Sequence, residues 1–184
     1  MRQGQSRAPL IGPYLDRVPV IAEDCFIAPG VVVLGDVTIG RQSSVWFNTT
    51  IRGDVHFITI GERTNIQDNS VLHVTHDTHP LVIGSRVTCG HAVRLHGCTI
   101  EDEVLVGIGA IVLDGAIVRC GSMVAAGALV PPRMEVPSGT LVAGVPARVV
   151  RELRDEERAD LAASAERYVE YARKMRASLA DGNV

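Results

Sequence analysis

The feature that most constrains the fold of this chain is an aliphatic residue that recurs every six positions over most of its length. Amphipathic helices require spacings of three and four residues, and a half-buried strand alternates with a period of two, so neither explains the pattern. A six-residue repeat is typical of a parallel β-helix, in which three hexapeptides, each one short strand and one corner, complete a triangular coil. The repeated positions are Ile21, Ile27, Val33, Ile39, Val45 and Ile51; Ile60, Ile66 and Leu72; Ile83, Cys89 and Leu95; and Ile100, Val106, Val112, Val118, Val124, Val130, Val136 and Val142.

The repeat is interrupted at three places, and each interruption predicts a change in the coil. The step to the next aliphatic position is nine residues after Ile51, eleven after Leu72 and five after Leu95. The eleven-residue step holds the polar segment 75–80, which we interpret as an outward loop, and the five-residue step indicates a tightened corner. Together the hexapeptides predict an all-β fold of about seven triangular coils, of which the last is incomplete.

The two ends of the chain lack the repeat. Residues 1–20 carry prolines at positions 9, 13 and 19 and predict an irregular segment, so the β-helix is expected over residues 21–150. Residues 151–184 predict a C-terminal helix and tail, with Asp155 as the cap and acidic residues in the first turn, where the helix dipole favours negative charge. An apolar stripe predicts that this helix packs along the outside of the β-helix; it comprises Leu161, Ala165, Tyr168 or Val169, Ala172, Met175 and Leu179.

The composition argues against several classes of partner. The net charge of −3 provides no basic surplus for binding nucleic acid or an anionic membrane. No apolar run approaches the roughly 20 residues that span a bilayer, and the N-terminus lacks the apolar segment of a signal peptide, so a cytoplasmic location is expected. The four cysteines form no CxxC pair and are interpreted as free, buried thiols; they are Cys25, Cys89, Cys98 and Cys120.

The hexapeptide register brings two histidines together on one face of the predicted β-helix. His73 and His96 occupy the same position of that face in consecutive coils, whose strands lie about 4.8 Å apart, and Arg52 holds this position one coil earlier. His91 lies on a different face, one coil after Asp68, so it is expected to reach the histidine pair only from a neighbouring subunit. Three such prisms around a threefold axis predict a homotrimer with three sites between subunits.

Three histidines that converge in this way predict a metal site. Three neutral imidazoles with an open fourth position are typical of catalytic zinc, which lowers the pKa of a bound water to about 7. Zn²⁺ is the metal we expect, although Fe²⁺ and Co²⁺ also accept three imidazoles. The alternative interpretation is that the three residues are unrelated surface or interface histidines.

The residues around these histidines resemble the γ-class carbonic anhydrases and their hexapeptide-repeat relatives, which include the carnitine-operon and phenylacetic-acid-degradation proteins. The resemblance implies that the β-helix is left-handed, which the periodicity alone does not determine. It also implies reversible hydration of CO2 to bicarbonate by a metal-bound hydroxide at trimer interfaces. It runs from about Tyr14 to Tyr171 and rests on the segments Arg52-Gly53-Asp54, Asn65-Ile66-Gln67-Asp68-Asn69-Ser70-Val71-Leu72-His73, Gly90-His91, Leu95-His96-Gly97-Cys98-Thr99-Ile100, Gly144-Val145-Pro146-Ala147 and Ser164-Ala165-Glu166-Arg167-Tyr168.

The same resemblance implies which residues bind the metal and act beside it. His73 and His96 would bind the metal from one subunit and His91 from the next. Gln67 would hydrogen-bond and orient the metal-bound hydroxide. Asp68 would support the neighbourhood of His91, as carboxylates commonly do for ligating histidines.

Further roles implied by the resemblance concern the substrate pocket. Arg52 and Asp54 would pair across the interface and place a bicarbonate oxygen, while Asn65 and Tyr168 would shape the pocket. The residue types alone also fit simpler roles. Arg52 and Asp54 suit a salt bridge between subunits, and Asn65 suits a corner with left-handed backbone.

The chain departs from the archetypal γ-class enzyme at two acidic positions. Val55 and His76 stand where that enzyme has glutamates, and the second of these is its proton shuttle. Because histidine titrates near pH 7, His76 or His79 is a candidate for carrying protons instead. Three other functions stay open: a metal-dependent thioester hydrolase, a hexapeptide acyltransferase and a metal-binding scaffold without turnover.

Overall fold

The six-residue repeat folds into a parallel β-solenoid of about seven turns with three flat faces, followed by one α-helix. The computed structural model describes residues 8–180. Predictions about the first seven residues and about the tail at 181–184 therefore lie outside the described residues. The solenoid itself confirms the fold class expected from the hexapeptides.

Each face is a ladder of short strands, one from every coil. Face one is formed by β2 (Val20–Ile21), β9 (Leu81–Ile83), β12 (Thr99–Ile100), β15 (Ile117–Val118) and β18 (Glu135–Val136). Face two is formed by β3 (Phe26–Ile27), β5 (Ser44–Val45), β7 (Asn65–Ile66), β10 (Thr88–Cys89), β13 (Leu105–Val106), β16 (Met123–Val124), β19 (Thr140–Gly144) and β20 (Ala147–Glu152). Face three is formed by β1 (Leu10–Gly12), β8 (Val71–His73), β11 (Arg94–His96), β14 (Ile111–Val112) and β17 (Leu129–Val130).

The core is the stack of inward-pointing aliphatic residues. Val45, Ile66, Cys89 and Val106 are paired in register down face two, and all four are 0% exposed. Successive side chains of a strand alternate between the two sides of the sheet, so the residues flanking each inward one point outward. The functional side chains of this protein occupy those outward positions.

Two long strands cross from face three to face one without a break. These are β4 (Val32–Ile39) and β6 (Thr50–Ile60), which pair with each other along their length with an irregularity near Gly35. The nine-residue step after Ile51 is therefore a bent continuous strand. At the bend, a Cβ on Gly35 would lie 2.3 Å from the carbonyl oxygen of Gly53, so the glycines allow a backbone approach that any side chain would block.

The ends of the solenoid differ from the expected division at two points. Strand β1 lies within the N-terminal segment expected to be irregular, because its backbone pairs with the edge of β4. At the other end, β20 turns back and pairs antiparallel with β19, which extends strand structure past residue 150. Both additions pair strand edges that would otherwise be exposed.

The predicted C-terminal helix is α1 (Asp155–Ala180), and it packs along the outside of face two against β3, β5, β7 and β10. Glu157 accepts a hydrogen bond from the backbone N–H of Arg154 at 2.9 Å, which closes the first turn. Leu161, Ala165 and Ala172 of the predicted stripe are buried. No helix in the described residues combines the length and the hydropathy that a bilayer span requires, and α1 is the only α-helix among them.

The cysteines are free throughout the described part of the chain. Cys25, Cys89 and Cys98 are buried, as predicted, and burial raises the pKa of the Cys89 thiol to about 12. Cys120 is exposed, so the prediction of burial was wrong there. It stands at a corner after the inward residue Val118, where the side chain projects from the coil.

Candidate metal and catalytic site

Two histidines point towards each other from consecutive coils of face three. His73 ends β8 and His96 ends β11, and the two residues are paired in the parallel ladder. Nδ1 of His73 lies 3.1 Å from Nε2 of His96. The stacking predicted from the hexapeptide register is thus confirmed.

Each of these imidazoles also forms a hydrogen bond to an aspartate, through the ring nitrogen that does not face the other histidine. Nε2 of His73 lies 3.0 Å from Oδ1 of Asp54, and Nδ1 of His96 lies 2.7 Å from Oδ1 of Asp114. An ionised carboxylate only accepts hydrogen bonds, so each histidine donates from the nitrogen that faces its aspartate. In neutral rings this leaves the two facing nitrogens with lone pairs, an arrangement that a shared cation stabilises.

Burial and hydrogen bonding set the protonation of this cluster. Burial lowers the pKa of His73 and outweighs the hydrogen bond to Asp54, which raises it. For Asp54, burial acts to raise the pKa, but hydrogen bonds from His73 and Arg52 outweigh it and the pKa falls below its ordinary value. The pKa of Asp114 is lowered in the same way, against burial, by hydrogen bonding that includes His96. Near neutral pH the carboxylates are therefore ionised and His73 is neutral, as imidazole ligation requires.

An arginine lies at the edge of the histidine pair. Arg52 forms an ion pair with Asp54 in the same chain, and its side chain is 45% exposed whereas that of Asp54 is 12% exposed. The resemblance implied a pair across the interface, but within one chain these two side chains already pair with each other. Asp54 therefore connects a partly exposed guanidinium to His73, and the guanidinium can contact an anion at this edge.

The third histidine lies on face two. Nδ1 of His91 is 2.8 Å from Oδ2 of Asp68, the residue predicted to stand one coil before it. The His91 side chain is 49% exposed. It lines a surface groove of about 550 Å³ between α1 and face two, together with Trp46 and Tyr168. Asp68 thus orients His91 and leaves its Nε2 as the nitrogen that can bind a metal.

A chain of buried polar side chains runs beneath α1 beside this groove. Nε2 of Gln67 donates to Oδ1 of Asn65 at 3.1 Å, and Nδ2 of Asn65 donates to Oγ1 of Thr88 at 3.0 Å. Thr88 in turn lies 3.2 Å from Oγ of Ser164 in the helix. Asn65 is 1% exposed and lies in β7, so its interpretation as a corner residue with left-handed backbone was wrong.

Tyr168 of the helix covers Gln67. Burial raises the pKa of Tyr168, and so does the charge of Asp68, whereas a hydrogen bond with Gln67 lowers it. Its ring packs edge-on against Trp46 with centroids 5.7 Å apart. The helix therefore places Tyr168 beside the polar side chains of face two, over a Gln67 side chain that bonds Asn65.

The two candidate proton carriers lie on the loop that follows β8. The loop closes through a backbone bridge between Thr75 and His79, and the intervening residues are exposed, which confirms that it projects outward. The His76 side chain is 73% exposed beside Asp77. His79 is partly buried and lies against Gly97, since a Cβ at Gly97 would be 2.7 Å from the Cβ of His79. The loop therefore places His79 beside the residue that follows His96.

The described residues of one chain do not contain three His, Cys, Asp or Glu side chains close enough to share a metal ion. His73 and His96 lie on face three and His91 lies on face two, so a single chain presents two partial sites. The donor set nonetheless fits zinc. Two imidazole nitrogens on a tetrahedral zinc lie about 3.3 Å apart for Zn–N bonds near 2.05 Å, and the facing nitrogens here are 3.1 Å apart.

Comparison with known proteins finds relatives that are similar to this chain over most of its length. The bacterial transferase hexapeptide (six repeats) family matches residues 19–53. Carbonic anhydrase of Geobacillus kaustophilus is 46% identical over 161 residues, which is 88% of each protein. The chain belongs to the γ-class carbonic anhydrase-like family.

Two further comparisons also extend over most of this chain. Gamma carbonic anhydrase 1, mitochondrial, of Arabidopsis thaliana is 45% identical over 172 residues, which is 91% of this chain but only 62% of the plant protein. The solved structure of a hexapeptide transferase family protein from Anaplasma phagocytophilum is 43% identical and superposes with a TM-score of 0.87 over 90% of this chain and 97% of that one.

Sequence reasoning missed one side chain of the histidine cluster, Asp114. It follows Val112 by two positions, and Val112 is paired with Leu95 in the next coil of face three. The hexapeptide register alone could therefore have placed Asp114 beside His96. It could not have found Ser164, because periodicity does not reveal which turn of the helix lies over Thr88.

Proposed function

We propose that this protein catalyses the reversible hydration of CO2 to bicarbonate at a divalent metal site formed between the subunits of a homotrimer. The observation that carries the proposal is the pair of facing nitrogens of His73 and His96, 3.1 Å apart and each backed by an aspartate. Relatives that are 45% and 46% identical to this chain are named carbonic anhydrases.

The third ligand in this proposal is His91 of the neighbouring subunit. Asp68 already holds His91 on face two, and about half of the His91 side chain is exposed, so a neighbouring subunit could contact it. A threefold arrangement that brings face two of one subunit against face three of the next would complete three equal sites. The exposed apolar side chain of Val71, 45% accessible in the single chain beside the histidine pair, supports a covered face three.

A divalent metal held there would supply a Lewis acid that makes water nucleophilic near neutral pH. Zn²⁺ is the first candidate, and Fe²⁺ or Co²⁺ would be held by the same imidazoles. The residues of the chain do the rest. Arg52, held by Asp54, would bind a bicarbonate oxygen, and Gln67, held by Asn65 and covered by Tyr168, would orient the attacking water.

The proton released in hydration has to leave the site, and we propose that the loop histidines carry it. His79 contacts Gly97 beside the histidine pair, while His76 lies in solvent. We expect the double variant His76→Ala, His79→Ala to turn over more slowly at low buffer concentration and to recover when imidazole buffer is added. Unchanged turnover in every buffer would exclude both histidines as proton carriers.

The second candidate function is acyl transfer, because the Anaplasma relative is described as a hexapeptide transferase. In that reaction a single histidine would act as general base, and no metal would be needed. A metal-dependent thioester hydrolase or a metal-binding scaffold without turnover would use the same metal site. Assays of thioester hydrolysis and of CO2 hydration would distinguish these possibilities from the proposed function. The cytoplasmic location stays a prediction from the sequence.

The test is metal content and CO2 hydration, measured on protein purified without chelator or histidine tag. We expect about one metal per chain in the natural protein, as three sites per trimer require. His96→Ala should lose the metal and the hydration activity. His56→Ala, whose Nδ1 accepts only a backbone N–H at 2.9 Å from Phe57, is the matched control and should keep both. No metal in the natural protein after anaerobic loading with Zn²⁺ or Fe²⁺ would refute the proposal.

A further inference from the structure

The carboxylate of Asp114 lies beside the histidine pair, although Asp114 is outside the segments that carry the family resemblance. Oδ1 of Asp114 accepts a hydrogen bond from Nδ1 of His96 at 2.7 Å and from Oγ1 of Thr75 at 3.0 Å. Asp114 lies on the coil after His96, and Thr75 begins the loop that carries His76 and His79. One oxygen atom thus connects a predicted metal ligand to the adjacent loop.

Two other corner carboxylates of this solenoid have a different task. Asp24 accepts from the backbone N–H of Gln42 at 3.1 Å, and Asp102 accepts from the backbone N–H of Ser85 at 2.7 Å. Such bonds tie one coil to the next. Among the described residues, the carboxylate of Asp114 accepts only from side chains, and both of these belong to the candidate site or its loop. The carboxylate of Asp114 therefore does not tie one coil to the next through a backbone N–H.

The backbone beside His96 leaves room for this carboxylate. A Cβ at Gly97 would lie 2.3 Å from Oδ1 of Asp114, so any side chain at Gly97 would push the carboxylate off His96. Gly97 also has a positive φ of 54°, which the tight corner requires. Gly97 therefore allows the contact between Asp114 and His96, because it adopts the positive φ of the corner and has no side chain that would displace the carboxylate.

We propose that Asp114 is a positioning residue that fixes the tautomer and direction of His96 as a metal ligand. This inference rests on the metal site proposed above. Since an ionised carboxylate accepts only, the proton of His96 lies on Nδ1 and its Nε2 lone pair points at His73. Without Asp114, the ring of His96 could place its proton on either nitrogen and turn away, and the metal would lose a prepared ligand.

The test compares Asp114→Asn with Asp102→Asn in two measurements. Asp102 is a matched control, because its Oδ1 would also lie 2.3 Å from a Cβ on the glycine that faces it, Gly84, yet it has no histidine partner. The first measurement is Zn²⁺ affinity by competition with a chromophoric chelator. We expect Asp114→Asn to weaken binding about tenfold or more, in the range usual for outer partners of ligating histidines, and Asp102→Asn to leave it unchanged.

The second measurement is the set of ¹⁵N chemical shifts of the histidine rings in metal-free protein. We expect His96 to carry its proton on Nδ1 in the natural chain and in Asp102→Asn, and to populate the other tautomer in Asp114→Asn. An unchanged tautomer in Asp114→Asn, or a Zn²⁺ affinity within twofold of the control, would overturn the inference. If the natural protein bound no metal but the tautomer still changed, the metal-centred function would fail while the orientation of His96 by Asp114 stood.

Discussion

Replacing Gly53 with alanine is expected to destabilise the protein more than the same substitution at Gly121. Gly53 lies in β6 between Arg52 and Asp54, where the strand bends from face three to face one. An added Cβ would lie 2.5 Å from the carbonyl oxygen of Asp36 and 3.2 Å from that of His56. Both obstacles are backbone atoms, so a side-chain rotation cannot relieve the clash.

The size of the effect follows from comparing the two glycines. Gly121 has a φ of 65° and no atom within 4 Å of an added Cβ. Alanine there meets only the left-handed backbone penalty of about 1–2 kcal/mol, partly offset by about 0.4–1 kcal/mol from a less flexible unfolded chain. At Gly53 we expect the upper end of the overpacking range, about 3 kcal/mol, with the same offset. Gly53→Ala should therefore be less stable than Gly121→Ala by about 1–2 kcal/mol.

Urea unfolding of the metal-free variants measures this difference directly. The clash would also displace the part of β6 that carries Arg52 and Asp54. Gly53→Ala should therefore bind Zn²⁺ more weakly, whereas Gly121→Ala should bind it normally. Equal unfolding midpoints for the two variants, with equal Zn²⁺ affinity, would show that the bend of β6 does not need a glycine and would refute this reasoning.

Two further predictions concern the helix cap and the thiols. Hydrogen bonds from Arg151 and the Arg154 backbone hold the pKa of Glu157 well below its ordinary 4.5. Glu157 therefore stabilises the fold above that pH and loses the effect as the pH falls towards the lower folded-state pKa. Urea midpoints should drop more between pH 7 and pH 3 in the natural chain than in Glu157→Gln, and equal drops would exclude the cap. A disulfide reagent should modify only Cys120 of the four thiols in the native protein, with the other three reacting after unfolding; native labelling of Cys89 would contradict the buried core.

The sequence predicted the solenoid well because the hexapeptide repeat encodes burial directly. Every coil needs an inward aliphatic residue at the same place, and Ile66 and Leu72 are both 0% exposed. The same register placed His73 beside His96, since parallel strands of equal length stack without offset. Periodicity therefore determined both the core and the relative positions of outward side chains on one face.

Features that depend on breaks in the repeat were harder to predict. The nine-residue step after Ile51 gave no sign that β6 runs on as a bent strand, because the bend depends on two glycines that meet from neighbouring coils, Gly35 and Gly53. The interpretation of Asn65 as a corner residue was wrong because its side chain bonds Thr88 beneath the helix, a contact that the sequence does not reveal. Contacts between the helix and the solenoid depend on side-chain packing, and such packing produces no repeat that can be recognised in the sequence.

The central claim is that each metal site is shared between subunits, and mixed trimers test it most directly. One chain would carry His91→Ala, with an intact face three, and the other His96→Ala, with an intact face two. The chains would be co-expressed with different tags and purified through both. In any mixed ring only one interface joins an intact face three to an intact face two, so about one third of the natural metal content is expected.

The matched control combines His73→Ala with His96→Ala, which damage the same face and cannot complement each other. We predict no metal in either parent protein or in this control, and about one metal per trimer in the mixture of His91→Ala with His96→Ala. Mixed trimers without metal, or a parent variant that retains full metal content, would contradict a site built from two subunits.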